Sequence, residues 1–439
     1  MKTLKIAASL ILLAGSVCCS SQTSKQQTDR PNVVLILADD MGYSDLGCYG
    51  SEISTPSLDS LAAGGIRFTR FYNGARCCPT RASLLTGLYA HQTGVGGMVK
   101  YEQSPQPDPF QGYLNNECVT LGEVLGQAGY RTMMSGKWHV GEFREQWPLQ
   151  RGFSRYYGLI SGAMNYFNIE KGKPNATRVF LDGNREIRPQ GEGFYATRNF
   201  TDRALDFLDE SAGEESPFFL YLAYNAPHYP LHALPEDIAR YQGKYQDGWE
   251  EVRRRRFDRM KENGVLTSLH QLSPPHPEVI PWEEVENREE MDLKMAIYAA
   301  QVESLDRNIG RVLQKLESMD AMENTLIMFL SDNGACAETS PLGGVWRERT
   351  GELGSEDSYE AYGLCWANAG NTPFRKFKRY TAEGGILTPF IVHWPAGTEL
   401  KNEFVRQPFH IIDIMPTLCE IGEAEYPEKS TTILMAAPD

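Results

Sequence analysis

The chain has 439 residues, of which 41% are hydrophobic and 23% charged, and a formal net charge of −14. That is the composition of a globular protein, long enough to bury a large core in one or two domains. The acid excess excludes a broad nucleic-acid-binding face, which must be basic, but it leaves room for a local basic pocket that takes an anion.

Residues 1–20 carry Lys2 and Lys5, then an apolar run from Ile6 to Val17 that ends in small residues. This is the pattern of a secretory signal, too short to span a membrane. Export to the periplasm or the medium is expected. The Cys18-Cys19-Ser20-Ser21 end leaves lipid anchoring as an alternative, although Gly15 and Ser16 stand where a lipoprotein signal carries Leu. Residues 21–31 read as a polar linker. Of the nine cysteines, the seven beyond the signal show neither a disulfide framework nor a zinc spacing.

Asn32 to Ala38 is a continuous apolar, β-branched run, as expected of a strand buried on both faces of a parallel sheet. It ends in Asp39-Asp40, two acids at the edge where open α/β sheets place ligands. A helix follows from Pro56, then a strand over Ile66 to Tyr72. Cys77-Cys78-Pro79-Thr80-Arg81-Ala82-Ser83-Leu84-Leu85-Thr86-Gly87 then reads as a helix start, with Pro79 in the first turn and Gly87 as the stop. Cys77 is expected just before the helix N-terminus, where the dipole favours anions and a deprotonated thiol, with Arg81 about one turn further in.

Thr120 to Ala128 reads as a helix and Tyr130 to Met134 as a short strand, followed by Gly136-Lys137-Trp138-His139-Val140-Gly141. Lys137 and His139 can point the same way from that loop. Ser161, in the segment from Arg151 to Phe167, is a weaker candidate for substrate contact. Ala196 to Ala212 is an amphipathic helix, and Phe218 to Ala223 a buried strand that runs into Ala226-Pro227-His228-Tyr229-Pro230. His228 is therefore held in a stiff loop at a strand end, and His232 is expected either to support residues of the site from behind or to be structural. Tyr241 to Gly264 is charged and helical, and its run Arg253 to Arg256 is expected to be a solvated face. Met291 to Met319 is a long amphipathic helix, a crossover back to the sheet.

The next strand, Thr325 to Leu330, ends in Ser331-Asp332-Asn333-Gly334 and so repeats the logic of Asp39-Asp40. Asp39, Asp40, Asp332 and Asn333 together are hard oxygen ligands, suited to Ca²⁺ or Mg²⁺ rather than zinc. Lys378 lies in a basic stretch before Glu383-Gly384-Gly385, with Lys376 close by. Pro389 to Trp394 reads as a strand and Phe409 to Gly422 as a helix.

Cys-x-Pro-x-Arg-x-x-x-Leu-Thr-Gly, as it stands at Cys77, resembles the signature of the type I sulfatases. Four further motifs follow the family's order, and the resemblance covers about residues 30–425. It implies an alkaline-phosphatase-like α/β sandwich, a large, mostly parallel sheet with helices on both faces, over a catalytic domain at 32–425 with an irregular tail at 426–439. The family usually continues into a small C-terminal subdomain, which this tail does not resemble, so apolar surface is expected where that subdomain would pack.

The resemblance implies hydrolysis of sulfate esters, of an aryl alcohol or a carbohydrate, with Cys77 converted to Cα-formylglycine by a formylglycine-generating enzyme. It assigns a cation, Ca²⁺ with Mg²⁺ as the alternative, to Asp39, Asp40, Asp332, Asn333 and position 77. Arg81 and Lys137 would hold the hydrated aldehyde as nucleophile, His228 with Lys378 would protonate the leaving oxygen, and His139 would act as the base that expels sulfate. The partner is then a sulfated small molecule or glycan, not a nucleic acid, and the oligomeric state is open. The alternatives are a phosphonate or phosphate ester hydrolase of the same superfamily and an inactive relative that binds sulfated glycans.

Overall fold

The computed structural model describes residues 30–100, 108–171, 178–345 and 350–427. The expected signal, most of the linker and the end of the tail lie outside them. The chain order begins β1 Asn32–Asp39, α1 Pro56–Ala63, β2 Ile66–Tyr72, α2 Cys77–Thr86, α3 Leu121–Gln127 and β3 Arg131–Gly136. It continues with β4 Arg155–Leu159, β5 Phe180–Asp182, β6 Arg185–Glu186, α4 Ala196–Ser211, β7 Phe218–Pro227, α5 Pro235–Ile238, α6 Gly248–Glu262, α7 Arg288–Ser318 and β8 Thr325–Ser331. It closes with β9 Gly344–Val345, β10 Glu360–Ala361, α8 Gly363–Gly370, α9 Glu383–Ile386, β11 Leu387–His393, β12 Glu403–Val405, β13 Phe409–His410 and α10 Ile414–Ile421.

Eleven strands form one sheet in the order β12-β2-β11-β8-β1-β7-β3-β4-β5-β6, with β13 also on β2. The centre is parallel: β1 lies between β7 and β8, and β3 lies between β7 and β4. β11 runs antiparallel to both β2 and β8. Alternate side chains of β1 explain its unbroken apolar run. Val34, Ile36 and Ala38 enter one core with Ile297, Val302 and Leu305 of α7. Val33, Leu35 and Leu37 enter the other with Leu84 and Leu85 of α2 and Leu121 and Leu125 of α3. A strand covered on both faces has no polar side to alternate with.

Two expectations need correction. The stretch expected as one helix over Phe409 to Gly422 begins as the short strand β13 and a 3₁₀ turn, and only Ile414–Ile421 is α-helical. The arginine run on α6 is not a solvated face. Arg254 and Arg255 stay outside, but Arg253 and Arg256, three apart and so on one helix face, turn inward. Arg253 donates to the Ser273 carbonyl at 2.7 Å, and Arg256 pairs with Asp45 at 2.5 Å and with Glu52 at 2.8 Å. A run of identical charges does not reveal that a partner carboxylate about two hundred residues away faces one of them.

Candidate active site

Register brings the two acidic strand ends together. Ala38 of β1 stands opposite Ser331 of β8. Just beyond, the Asp332 amide donates to the Ala38 carbonyl at 3.1 Å, the Asp40 amide to Asp332 Oδ1 at 3.2 Å and the Met41 amide to Ser331 Oγ at 3.0 Å. Asp39, Asp40, Asp332 and Asn333 are all buried at this edge. Asp40 sits at φ 67° and His139 at φ 58°, left-handed conformations that non-glycine residues avoid and that concentrate at functional sites.

α2 supplies the next layer. Cys77 is its first residue, one position further into the helix than expected, with Arg76 as the cap. All ten residues of α2 are buried although Thr80, Arg81, Ser83 and Thr86 are polar. Arg81 donates to Asp332 Oδ2 through Nε at 3.1 Å and Nη2 at 2.8 Å, and to the Lys137 carbonyl through Nη1 at 2.9 Å. Its guanidinium therefore orders a carboxylate and a loop. The Cys78 hydrogen bond, with Lys137, His139 and Lys378 nearby, pulls the Cys77 thiol well below its ordinary pKa against the effect of burial.

The β3 end delivers Lys137. Gly136, at φ 118°, lies so close to β7 that a Cβ would come within 1.9 Å of the Ala223 carbonyl. That contact lets the Lys137 amide bond the same carbonyl at 2.7 Å, while Nζ reaches Asp39 Oδ2 at 2.5 Å. Lys378 Nζ lies 2.8 Å from Asp40 Oδ1 and 2.9 Å from Oδ2. Lys376 instead approaches His276 Nε2 at 3.2 Å, which separates the two lysines that the sequence left close. His228 Nε2 is 3.4 Å from Asp40 Oδ2, and its Nδ1 is 2.6 Å from the Tyr229 carbonyl. His139 Nε2 is 3.3 Å from Cys78 Sγ. Burial pushes both histidines down to about 4.

Burial raises the pKa of Asp39, against Lys137 and Arg81, and burial with Asp39 raises that of Asp332. Burial acts on Asp40 as well, but Lys378 and His228 outweigh it and hold that carboxyl low. Asn333 donates its amide N–H to Asp40 Oδ1 at 2.6 Å, which leaves its oxygen free. That oxygen and Asp39 Oδ1 are buried without a hydrogen-bond partner. Two orphaned acceptors among carboxylates, in a native fold, fit a cation.

Sequence reading missed several supports. Tyr166 places its hydroxyl 2.7 Å from the carbonyls of both Asn225 and His228, and Tyr229 stacks on His228 with ring centroids 4.4 Å apart. Cys78 carries no motif signal, yet it faces His139. Ser161, named from the sequence as a weaker candidate for substrate contact, is buried and donates to Glu142 at 3.1 Å. His232 is structural, one of the two roles expected of it: its ring accepts from the Tyr166 amide at 3.3 Å.

Residues 31–423 match the family model described as Sulfatase. The chain belongs to the sulfatase family. It is thus a sulfuric ester hydrolase on an alkaline-phosphatase-like framework, as the resemblance implied. It is 34% identical over 449 residues to the arylsulfatase of Klebsiella aerogenes, covering 98% of this chain and 93% of that one. It is also 34% identical to an uncharacterized sulfatase of Schizosaccharomyces pombe, over 91% of this chain and 76% of the relative. Among solved structures it resembles Ps i-CgsB in complex with k-i-k-neocarrahexaose, with a TM-score of 0.66 and 26% identity, over 91% of this chain and 73% of the other.

Proposed function

We propose that this sulfatase is an exported enzyme that removes sulfate from an aryl or carbohydrate ester, using formylglycine at position 77 and a divalent cation. The observation that carries the reading is the pair of unpartnered buried oxygens, Asp39 Oδ1 and Asn333 Oδ1, at a strand edge next to Cys77 at the start of α2. Asp39, Asp40, Asp332 and Asn333 would hold the cation, which would supply positive charge to offset that of an anionic ester. Conversion of Cys77 supplies a hydrated aldehyde, a nucleophilic hydroxyl with a second hydroxyl beside it.

The remaining residues orient and balance charge. Arg81, Lys137 and Lys378 match the three carboxylates Asp39, Asp40 and Asp332, so a divalent cation leaves the pocket positive and ready for an anionic ester. Arg81 keeps Asp332 turned toward the cluster. Lys137 and Lys378 contribute fixed positive charge on either side of the strand edge. His228 donates Nδ1–H to the Tyr229 carbonyl and turns Nε2 toward Asp40, and it would serve as the acid for the departing oxygen in its doubly protonated form, which Asp40 favours and burial opposes. His139 Nε2, next to α2, takes the proton from position 77. The carbohydrate reading draws on the oligosaccharide in the Ps i-CgsB structure, and the aryl reading on the Klebsiella aerogenes relative.

The test is the peptide mass at Cys77 after co-expression with a formylglycine-generating enzyme. Thiol-to-aldehyde conversion lowers it by roughly 18 Da, and turnover of an aryl sulfate should rise in proportion to the converted fraction. Affinity for sulfated glycans with an unconverted Cys77, in a host that matures other sulfatases, would replace this reading with a binding relative.

A further inference from the structure

Only two groups of three metal-ligating His, Cys, Asp or Glu residues converge among the described residues. One is Asp39, Asp40 and His228, part of the site above. The other is Cys77, Cys78 and His139, which are all buried. We propose that the chain as translated, with Cys77 still a thiol, carries a second and chemically distinct metal site, formed by Cys77 Sγ, Cys78 Sγ and His139 Nε2, for a thiophilic cation of the Zn²⁺ class.

The geometry is close to that of a bound ion. Cys78 Sγ and His139 Nε2 are 3.3 Å apart, and all three ligand atoms lie within 4.8 Å of one another. Usual zinc bond lengths in a tetrahedron put sulfur and nitrogen roughly 3.5 Å apart and two sulfurs roughly 3.8 Å apart. Closing the group around an ion therefore needs shifts of about 1 Å or less. Met98 Sδ lies 3.8 Å from Cys78 Sγ, on the rim of the group.

The donor set separates this group from the carboxylates next to it. Thiolate and imidazole select Zn²⁺ and softer ions, whereas Asp39, Asp40, Asp332 and Asn333 select hard ones. His139 is rigidly presented: Gly162 lies so close that a Cβ there would stand 2.4 Å from Nε2. On binding, Cys78 gives up its S–H proton to solvent, together with any proton that the Cys77 sulfur still carries. Two sulfur–metal bonds form, His139 donates the Nε2 lone pair, and the two thiolates neutralise the 2+ charge. The sequence hides the site because His139 lies 61 residues from Cys78 and the spacing matches no zinc motif.

Conversion of Cys77 removes one of the two thiolates. The same position then selects between two metal chemistries, soft before conversion and hard after it. Zinc capture of unconverted chain competes with the active form. The first half of the proposal concerns only the chain as translated; the loss of the soft site on conversion rests on the formylglycine reading.

The probe is Cd²⁺, titrated with Ca²⁺ present into full-length unconverted protein and followed by thiolate-to-cadmium charge-transfer absorption and by thiol alkylation. One equivalent should produce the band and protect two thiols, and Zn²⁺ should displace it. Cys78→Ser and Cys78→Ala should each weaken Cd²⁺ binding by about a hundredfold or more, while Cys419→Ser should leave it unchanged. Melting curves identify variants that fail to fold, and the converted enzyme, which keeps Cys78 and the fold, gives an independent reading by losing the band. No stoichiometric uptake by the wild-type chain, or a full band in folded Cys78 variants, would overturn the site. A band that survives complete conversion would overturn the switch alone.

Discussion

Two clusters of buried charge, which share the segment that follows β1 through Asp39-Asp40 and Asp45, are built on opposite terms. Around Arg256, every charge is answered: Nη1 pairs with Asp45 at 2.5 Å, Nε and Nη2 pair with Glu52 at 2.9 and 2.8 Å, and Tyr298 donates to Asp45 Oδ2 at 2.7 Å. Around Asp39 and Asp332, three carboxylates meet three basic groups, yet Asp39 Oδ1 and Asn333 Oδ1 have no partner. A closed network fixes structure, whereas one with open acceptors is prepared for a ligand. Glu142 falls between them: Ser161 satisfies one oxygen, the other is unpartnered, and burial lifts its pKa to about 7.

The sharpest break between the clusters is functional. Cys77→Ala in the open cluster should cut sulfate ester turnover by more than about 10⁴-fold with the melting temperature nearly unchanged. Residual turnover within tenfold of wild type would remove position 77 from the chemistry. In the closed cluster, Arg256→Ala leaves buried Asp45 without its cationic partner and Glu52 with Arg259 alone, and should cost about 3–5 kcal/mol of stability. Arg254→Ala, on the exposed face of the same helix, should stay within about 0.5 kcal/mol. Equal effects in denaturant unfolding would erase the distinction between the two faces of α6.

Glu142 tests the intermediate case. Its folded pKa is raised, so the stability it contributes is fully present below the unfolded value near 4.5 and is lost as pH rises through about 7. The total swing is about 3 kcal/mol. Glu142→Gln should flatten this part of the pH profile of unfolding, and an unchanged profile would refute the assignment. A slightly smaller effect than that of Glu142 concerns the open acceptors themselves. Adding Ca²⁺ or Mg²⁺ to chelator-treated protein, at about 100 times its Kd, should stabilise the fold by about 2.7 kcal/mol. Asp39→Asn should abolish most of that response, and a melting temperature indifferent to both cations would mean that the orphaned oxygens hold none.

The sequence determined much of this by itself. A short, unbroken and largely β-branched apolar run such as Val33 to Ala38 fits a strand covered on both faces, and acids placed where such strands end fall at the ligand edge of a parallel sheet. Cys77, Arg81, Lys137, His139 and His228 could be placed at a helix start, strand ends and stiff loops, which are local events, whereas their roles, and the choice of Lys378, came from the resemblance to a known family. Tertiary structure decided what those residues touch. The β1–β8 register set Asp40 beside Asp332, the approach of Gly136 to Ala223 aimed Lys137 at Asp39, and the fold of the 372–386 segment put Lys378 rather than Lys376 on Asp40. The inward turn of Arg256, the pairing of Cys78 with His139 and the support of Glu142 by Ser161 were equally beyond local reading. Periodicity and motif spacing report which way a chain segment faces, but a hydrogen bond or a ligand set between distant segments depends on how those faces are packed together.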